Sequence, residues 1–197
     1  MTHLDQHSLA FRLEDQRLVI EDTQAWLTQA VIALGLCPFA NAVHVKQQIR
    51  YAVCWSSEPV DVLGALEEEL LHLDRVQAED TQTTLLMAPL ATPDFLDFYQ
   101  LLKESQKVLK RLKLREVFQL AHFHPQYQFA GTEATEPENL SNRSPYPTLH
   151  LLRVASVEDA VAMHPDVDAI YAKNIDLFRG MGFKGYEALG LQARVKA

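Results

Sequence analysis

A chain of 197 residues with 48% hydrophobic and 22% charged content has the make-up of one globular domain, able to bury a core without a disulfide or structural metal. Its formal net charge of −8 opposes duplex DNA and anionic lipid, so neither nucleic acid nor a membrane is an expected partner. The polar start MTHLDQHSLAFRLEDQ is no secretory signal, no apolar run suggests a membrane span, and two cysteines are too few for a disulfide framework, so a cytoplasmic setting is expected.

Residues 1–14 carry no clear period and read as a loosely held arm before a globular unit at 15–190. Over 15–34, Val19, Thr23, Trp26, Leu27, Ala30, Val31 and Leu34 form one stripe of an amphipathic helix, which Gly35 is placed to end in a left-handed cap. Pro38 bars simple continuation through the connector GLCPFANAVH. Residues 48–55 alternate, with Ile49, Tyr51, Val53 and Trp55 on one face, and predict a strand. Ser57 and Pro59 mark the next helix, whose stripe is Val62, Leu63, Leu66, Leu70 and Leu73.

The apolar run 83–89 predicts a central strand, and Thr92 with Pro93 a helix start followed by Phe95, Phe98, Leu102, Leu109 and Leu112. Lys107, Lys110, Arg111, Lys113 and Arg115 gather at the end of that helix, where cations complement its dipole. Strands are expected at 115–124 and 148–154, joined by a long polar connection at 125–147. Ser156 with Asp159 resembles a capping box for a short helix ending near His164 and Pro165. A last helix over 166–179 would bury Val167, Ile170, Tyr171, Leu177 and Phe178, before Gly180, Gly182 and Gly185 break it and 191–197 fray. The order predicts an α/β (or α+β) domain with a mixed sheet of about four strands and helices packed on it. The first strands favour parallel pairing, and those flanking the long connection antiparallel pairing.

A connection longer than about 12–15 residues in a compact domain is usually functional or disordered. Its ends, FHPQYQFAG and NRSPYPTLHLLR, are rich in aromatics and prolines, whereas its acidic middle, TEATEPENLS, reads as mobile. Such a segment suits a lid or ligand loop. Together with GLCPFA, these motifs make residues 16–190 resemble an uncharacterised bacterial family, domain of unknown function family 1415. The resemblance implies a cytoplasmic bacterial protein of one domain and brings no established activity.

The candidate chemistry comes from the residues themselves. His122 and His124, two apart on a strand, share a face with Phe118 and Leu120. They suit acid–base work, or a metal site with His150 or Cys37 as third ligand; the plain alternative is a hydrogen-bonding role at the strand end. Asn142, Arg143, Ser144 and Tyr146 surround two prolines, and the Arg143 fork matches a carboxylate or phosphate, with Arg153 in support. Alternatively, Arg143 pins the loop to the acidic helix at 67–69. Cys37 follows a helix C-terminus, the wrong end for dipole activation, and becomes a nucleophile only if His124 or Arg143 lies close. Cys54 reads as structural.

There is no glycine-rich phosphate loop, nucleophile elbow or paired-cysteine zinc motif. The expected function is therefore a hydrolase or group transferase acting on a small anionic metabolite, without a cofactor. Asn142, Arg143 and Ser144 would hold the anion, His124 would move protons with His122 orienting it, and Tyr127 or Tyr146 would line the pocket. A non-catalytic anion-binding module and a metalloprotein using His122 and His124 are the rivals. Cys37, His122, His124 and Arg143 are expected to converge on one shared pocket.

Overall fold

The computed structural model describes residues 3–163 and 166–195. Its helices are α1 (His3–Trp26), α2 (Ala40–Val45), α3 (Pro59–Arg75), α4 (Phe95–Leu112), α5 (Val154–Met163) and α6 (Val167–Glu187). Among the described residues, four strands form one open sheet: β1 (Ile49–Val53), β2 (Thr83–Met87), β3 (Phe118–Phe123) and β4 (Thr148–Arg153). The strand order is β1-β2-β4-β3. β1 and β2 pair in parallel across α3, and β4 is antiparallel to both its neighbours. The mixed α/β fold expected from the element order is therefore present. β3 runs in the direction of β2 without pairing with it, because β4 returns between them.

The two faces of this sheet are covered differently. Ala52, Leu86, Leu149, Leu151, Phe118 and Leu120 meet the apolar stripes of α3 and α4. Val62, Leu66, Leu70 and Leu73 of α3 are fully buried there, each such side chain contributing about 1.5–3 kcal/mol relative to exposure. β2 is buried along its whole length, which explains a continuous apolar run in place of alternation. On the second face, Val19 of α1 packs over Leu85, Met87 and Tyr146, and Trp26 closes on Phe123. The remainder of this face is left open as a cleft.

Several boundaries differ from the sequence reading for identifiable reasons. α1 begins at His3, inside the segment read as an arm, and passes directly into a π-helical segment, Leu27–Ile32. Gly35, at φ +67°, makes the left-handed cap. The connector beyond it contains α2. α4 is capped by Asp94, whose carboxylate accepts from Leu96 N, and not by Thr92. α6 continues to Glu187 through a kink at Gly182, whose φ of +64° only glycine adopts readily. Residues 191–195, read as fraying, dock on α1: Arg194 engages Asp22 and Glu21, and Val195 N donates to Tyr146 Oη. His164 and Pro165 lie outside the described residues, as does the side chain of Val167.

Candidate active-site cleft

The uncovered part of the second face is a cleft of about 760 Å³. Its floor is the sheet, through Leu85, Ala121, Phe123, His150 and Leu152. One wall is Trp26, Leu27 and Val31, continued by Cys37, Pro38, Phe39 and α2; the other is α5, through Val157, Ala160 and Met163. The π-helical segment supplies Leu27 and Val31, in keeping with the tendency of such segments to occur at functional sites. The lining is mainly apolar with a few convergent polar groups, the usual composition of a small-molecule site. All three motifs behind the family resemblance contribute to it. Cys37, Pro38 and Phe39 come from GLCPFA, Phe123 from FHPQYQFAG, and His150, Leu152 and Arg153 from NRSPYPTLHLLR.

His150 is the polar centre of the floor. It sits on the inner strand β4 between Leu85 and Ala121, and its ring stacks obliquely on Phe123 at 6.0 Å. Among the described residues its imidazole has no hydrogen-bond partner in the protein. Burial in apolar surroundings lowers its pKa to about 4, so at neutral pH it is uncharged. A neutral imidazole carries one donor and one acceptor nitrogen, and here both remain available to a ligand. At the mouth stand the exposed Lys46, Glu79 and Asp159.

His122 and His124 lie elsewhere. His122 pairs with Leu149 in the register, placing it on the α4 face with Phe118 and Leu120, as the strand period requires. Its ring packs on Tyr127 and Phe98, and burial lowers its pKa. His124 is fully buried against Phe95 and Phe98. Gln126 N donates to its Nδ1 at 3.0 Å, so the proton belongs on Nε2, which donates to Thr92 O at 2.9 Å. With both nitrogens occupied, His124 has none left for a substrate or a metal ion. Its bond also fixes Thr92, a β-branched residue held at φ +48°. Because Cys37 lies in the cleft and His124 under α4, the two occupy opposite faces of the sheet. The expected convergence of Cys37, His122, His124 and Arg143 on one pocket does not occur.

The second motif group is likewise turned inward. Arg143 donates from Nε to Tyr127 O and from an Nη to Ala134 O, and its guanidinium lies over Phe183. It pins the long connection to itself, while Glu67 and Glu69 pair with Arg111 and Arg50 instead. Asn142 accepts His124 N through its carbonyl, and its side chain bonds the Tyr127 hydroxyl. Ser144 donates to Tyr146 O, and Tyr146 donates to Asp22 at 2.6 Å. Arg153 lines the cleft, but its Nη2 serves Leu73, Val76 and Thr81 carbonyls around the end of α3. The acidic middle expected to be mobile contains a 3-10 helix, Pro137–Asn142. There the fully buried Asn139 accepts Phe129 N and Thr132 Oγ1 and donates to Glu133 O.

Of the expected site residues, the structure brings Cys37 to the cleft, with Arg153 at its edge and the Arg153 guanidinium lying over Phe118. It gathers His122, His124, Tyr127, Asn142 and Arg143 into a separate cluster at the other side of the sheet. His150 entered the sequence reading only as a possible third metal ligand. Its signal was a lone imidazole inside the apolar strand TLHLLR. Among the described residues, no three of His, Cys, Asp and Glu stand close enough together to hold a metal ion. No described helix is long and apolar enough to cross a membrane.

A family model described as a protein of unknown function, DUF1415, matches residues 18–188. No curated protein and no solved structure matches the chain.

Proposed function

We propose a function for a chain that belongs to the DUF1415 family of proteins of unknown function: it binds a small, largely apolar organic metabolite in the cleft, and His150 exchanges a proton with it. The observation that carries this reading is a neutral imidazole, unpartnered among the described residues, at the floor of a cleft that all three family motifs line. An imidazole with no internal partner among the described residues hydrogen-bonds a ligand without first breaking a protein contact, and its uncharged form offers a lone pair as acceptor.

The anionic end expected of the metabolite goes to the mouth in this reading. An isolated charge against the apolar floor would be strongly disfavoured, whereas Lys46 at the rim is exposed and makes no ion pair among the described residues. Catalysis of hydrolysis or group transfer remains part of the proposal, with His150 replacing His124 as the proton-transfer group. Cys37 lies on the wall of the same cleft. A bacterial cytoplasmic setting belongs to the same reading, supported by an acidic composition and two unpaired cysteines.

The test is a thermal-shift screen of small carboxylates and neutral ring compounds, since a ligand that binds only the folded state raises its apparent stability. Each hit is then titrated into protein with ¹⁵N-labelled histidine. The proposal expects the His150 ring resonances to move with saturation, while those of His124 stay in place. Hits that leave His150 unmoved would falsify it.

A further inference from the structure

We propose that α5 is a lid on the cleft, closed by the Gln82–Ser156 hydrogen bond and seated by the ligand beneath it. This rests on reading the cleft as a ligand site. α5 follows β4 with no intervening residue, so Arg153–Val154 forms the hinge. The hinge is fixed on both sides: Arg153 is held by three carbonyls and Val154 N donates to Val117 O. Beyond it the helix is barely attached. Among the described residues, its one side-chain hydrogen bond to the rest of the protein is the contact of Gln82 Nε2 with Ser156 Oγ. Ser156 does not cap the helix as its spacing with Asp159 suggested, because α5 already begins at Val154.

Apart from the buried Ala160, the apolar side chains of α5 lack the packing that normally stabilises a short helix. Val157, Ala160 and Met163 face the cleft and belong to none of the hydrophobic clusters formed by the described residues. Met163 is 69% exposed and Val161 41%. Helices of about ten residues draw most of their stability from a packed face, and here that face borders the cleft. A ligand in the cleft supplies the missing surface, so binding and closure of α5 are coupled. Segments with few buried contacts open at low free energy, which is the property a lid requires.

The experiment uses the full chain without ligand, so a failed lid and a failed ligand site are told apart. Cys37 lines the cleft and Cys54 is buried under α3 and α4, giving one reporter and one internal control. The rate at which a bulky maleimide modifies each cysteine is measured in wild type, Gln82→Ala, Ser156→Ala and the double variant. Each single variant is expected to raise the Cys37 rate about five- to tenfold, the effect of losing one hydrogen bond, with Cys54 unchanged. The double variant should add little, because both substitutions remove the same bond. Hydrogen exchange should find α5 amides opening about a hundredfold more readily than those inside α4. Unchanged Cys37 rates, α5 protection equal to that of α4, or Cys54 rising in step with Cys37 would each overturn the lid.

Discussion

Two histidines three positions apart across the sheet teach opposite lessons. His124 lies in the most motif-rich part of the sequence, and its two nitrogens are occupied by Thr92 O and Gln126 N. His150 lies in a plain apolar strand, and among the described residues its ring has no hydrogen-bond partner. The same contrast separates the regions around them. Near His124, the donors of Arg143, Ser144 and Asn139 serve loop backbone, so the polar residues there shape a long connection that would otherwise leave buried carbonyls and amides unpaired. Near His150, the lining is mainly apolar and, among the described residues, the imidazole on its floor makes no hydrogen bond. Density of polar motifs marked the part that needs internal hydrogen bonds, and sparseness marked the part that is left uncovered as a cleft.

The largest effect that would test this contrast is on folding. His124→Ala removes a fully buried ring with two hydrogen bonds and leaves Thr92 without its restraint. It should cost about 3 kcal/mol or more in chemical denaturation. A stable His124→Ala protein that has lost ligand binding would reverse the roles of the two regions.

A second effect separates the histidines by pH. In the folded chain burial lowers the His150 pKa from the ordinary 6.5 to about 4. Between those values the unfolded chain binds more protons, so stability is full above about pH 6.5 and falls as pH drops towards 4, by up to about 3 kcal/mol. His122 and His124 are shifted in the same direction, also by burial. His150→Leu should therefore flatten part of the slope between pH 7 and pH 4.5 while retaining stability at pH 7. Equal slopes in wild type and variant would mean that His150 is not held neutral.

Smaller effects sharpen the structural side. Arg143→Lys keeps the charge but loses the fork that reaches Tyr127 and Ala134, and should cost about 1–2 kcal/mol of stability. Tyr146→Phe loses the bonds to Asp22 and Val195 and should cost about 1 kcal/mol. Its more specific signature is faster proteolysis in the segment 191–195, which that hydroxyl helps to dock. An unchanged cleavage pattern would show that Arg194 alone holds the tail.

The strands and their helices were legible because period and composition act locally. All four predicted strands appear, and the buried stripe Val62, Leu66, Leu70 and Leu73 of α3 follows the predicted spacing. The insertion of β4 between β2 and β3 depends on long-range pairing and had no local signal. The inward turn of the motif residues was hidden for a related reason. Residue type marks hydrogen-bonding capacity, but whether that capacity is satisfied within the chain depends on neighbours distant in sequence, as Thr92 is from His124. Cys37 was rightly placed at a helix end, yet its cleft exists only because α1 and α5 leave part of the sheet uncovered.

The most direct measurement is a crossed comparison of ligand affinity in two folded variants, His150→Leu and Arg143→Lys, using hits from the thermal-shift screen and isothermal titration at pH 7. The account predicts that His150→Leu weakens binding at least about tenfold, the loss expected for a buried ligand hydrogen bond, while Arg143→Lys leaves affinity for the folded protein within about twofold. The opposite pattern, affinity kept in His150→Leu and lost in Arg143→Lys, would contradict it and move the site to the motif cluster around His124.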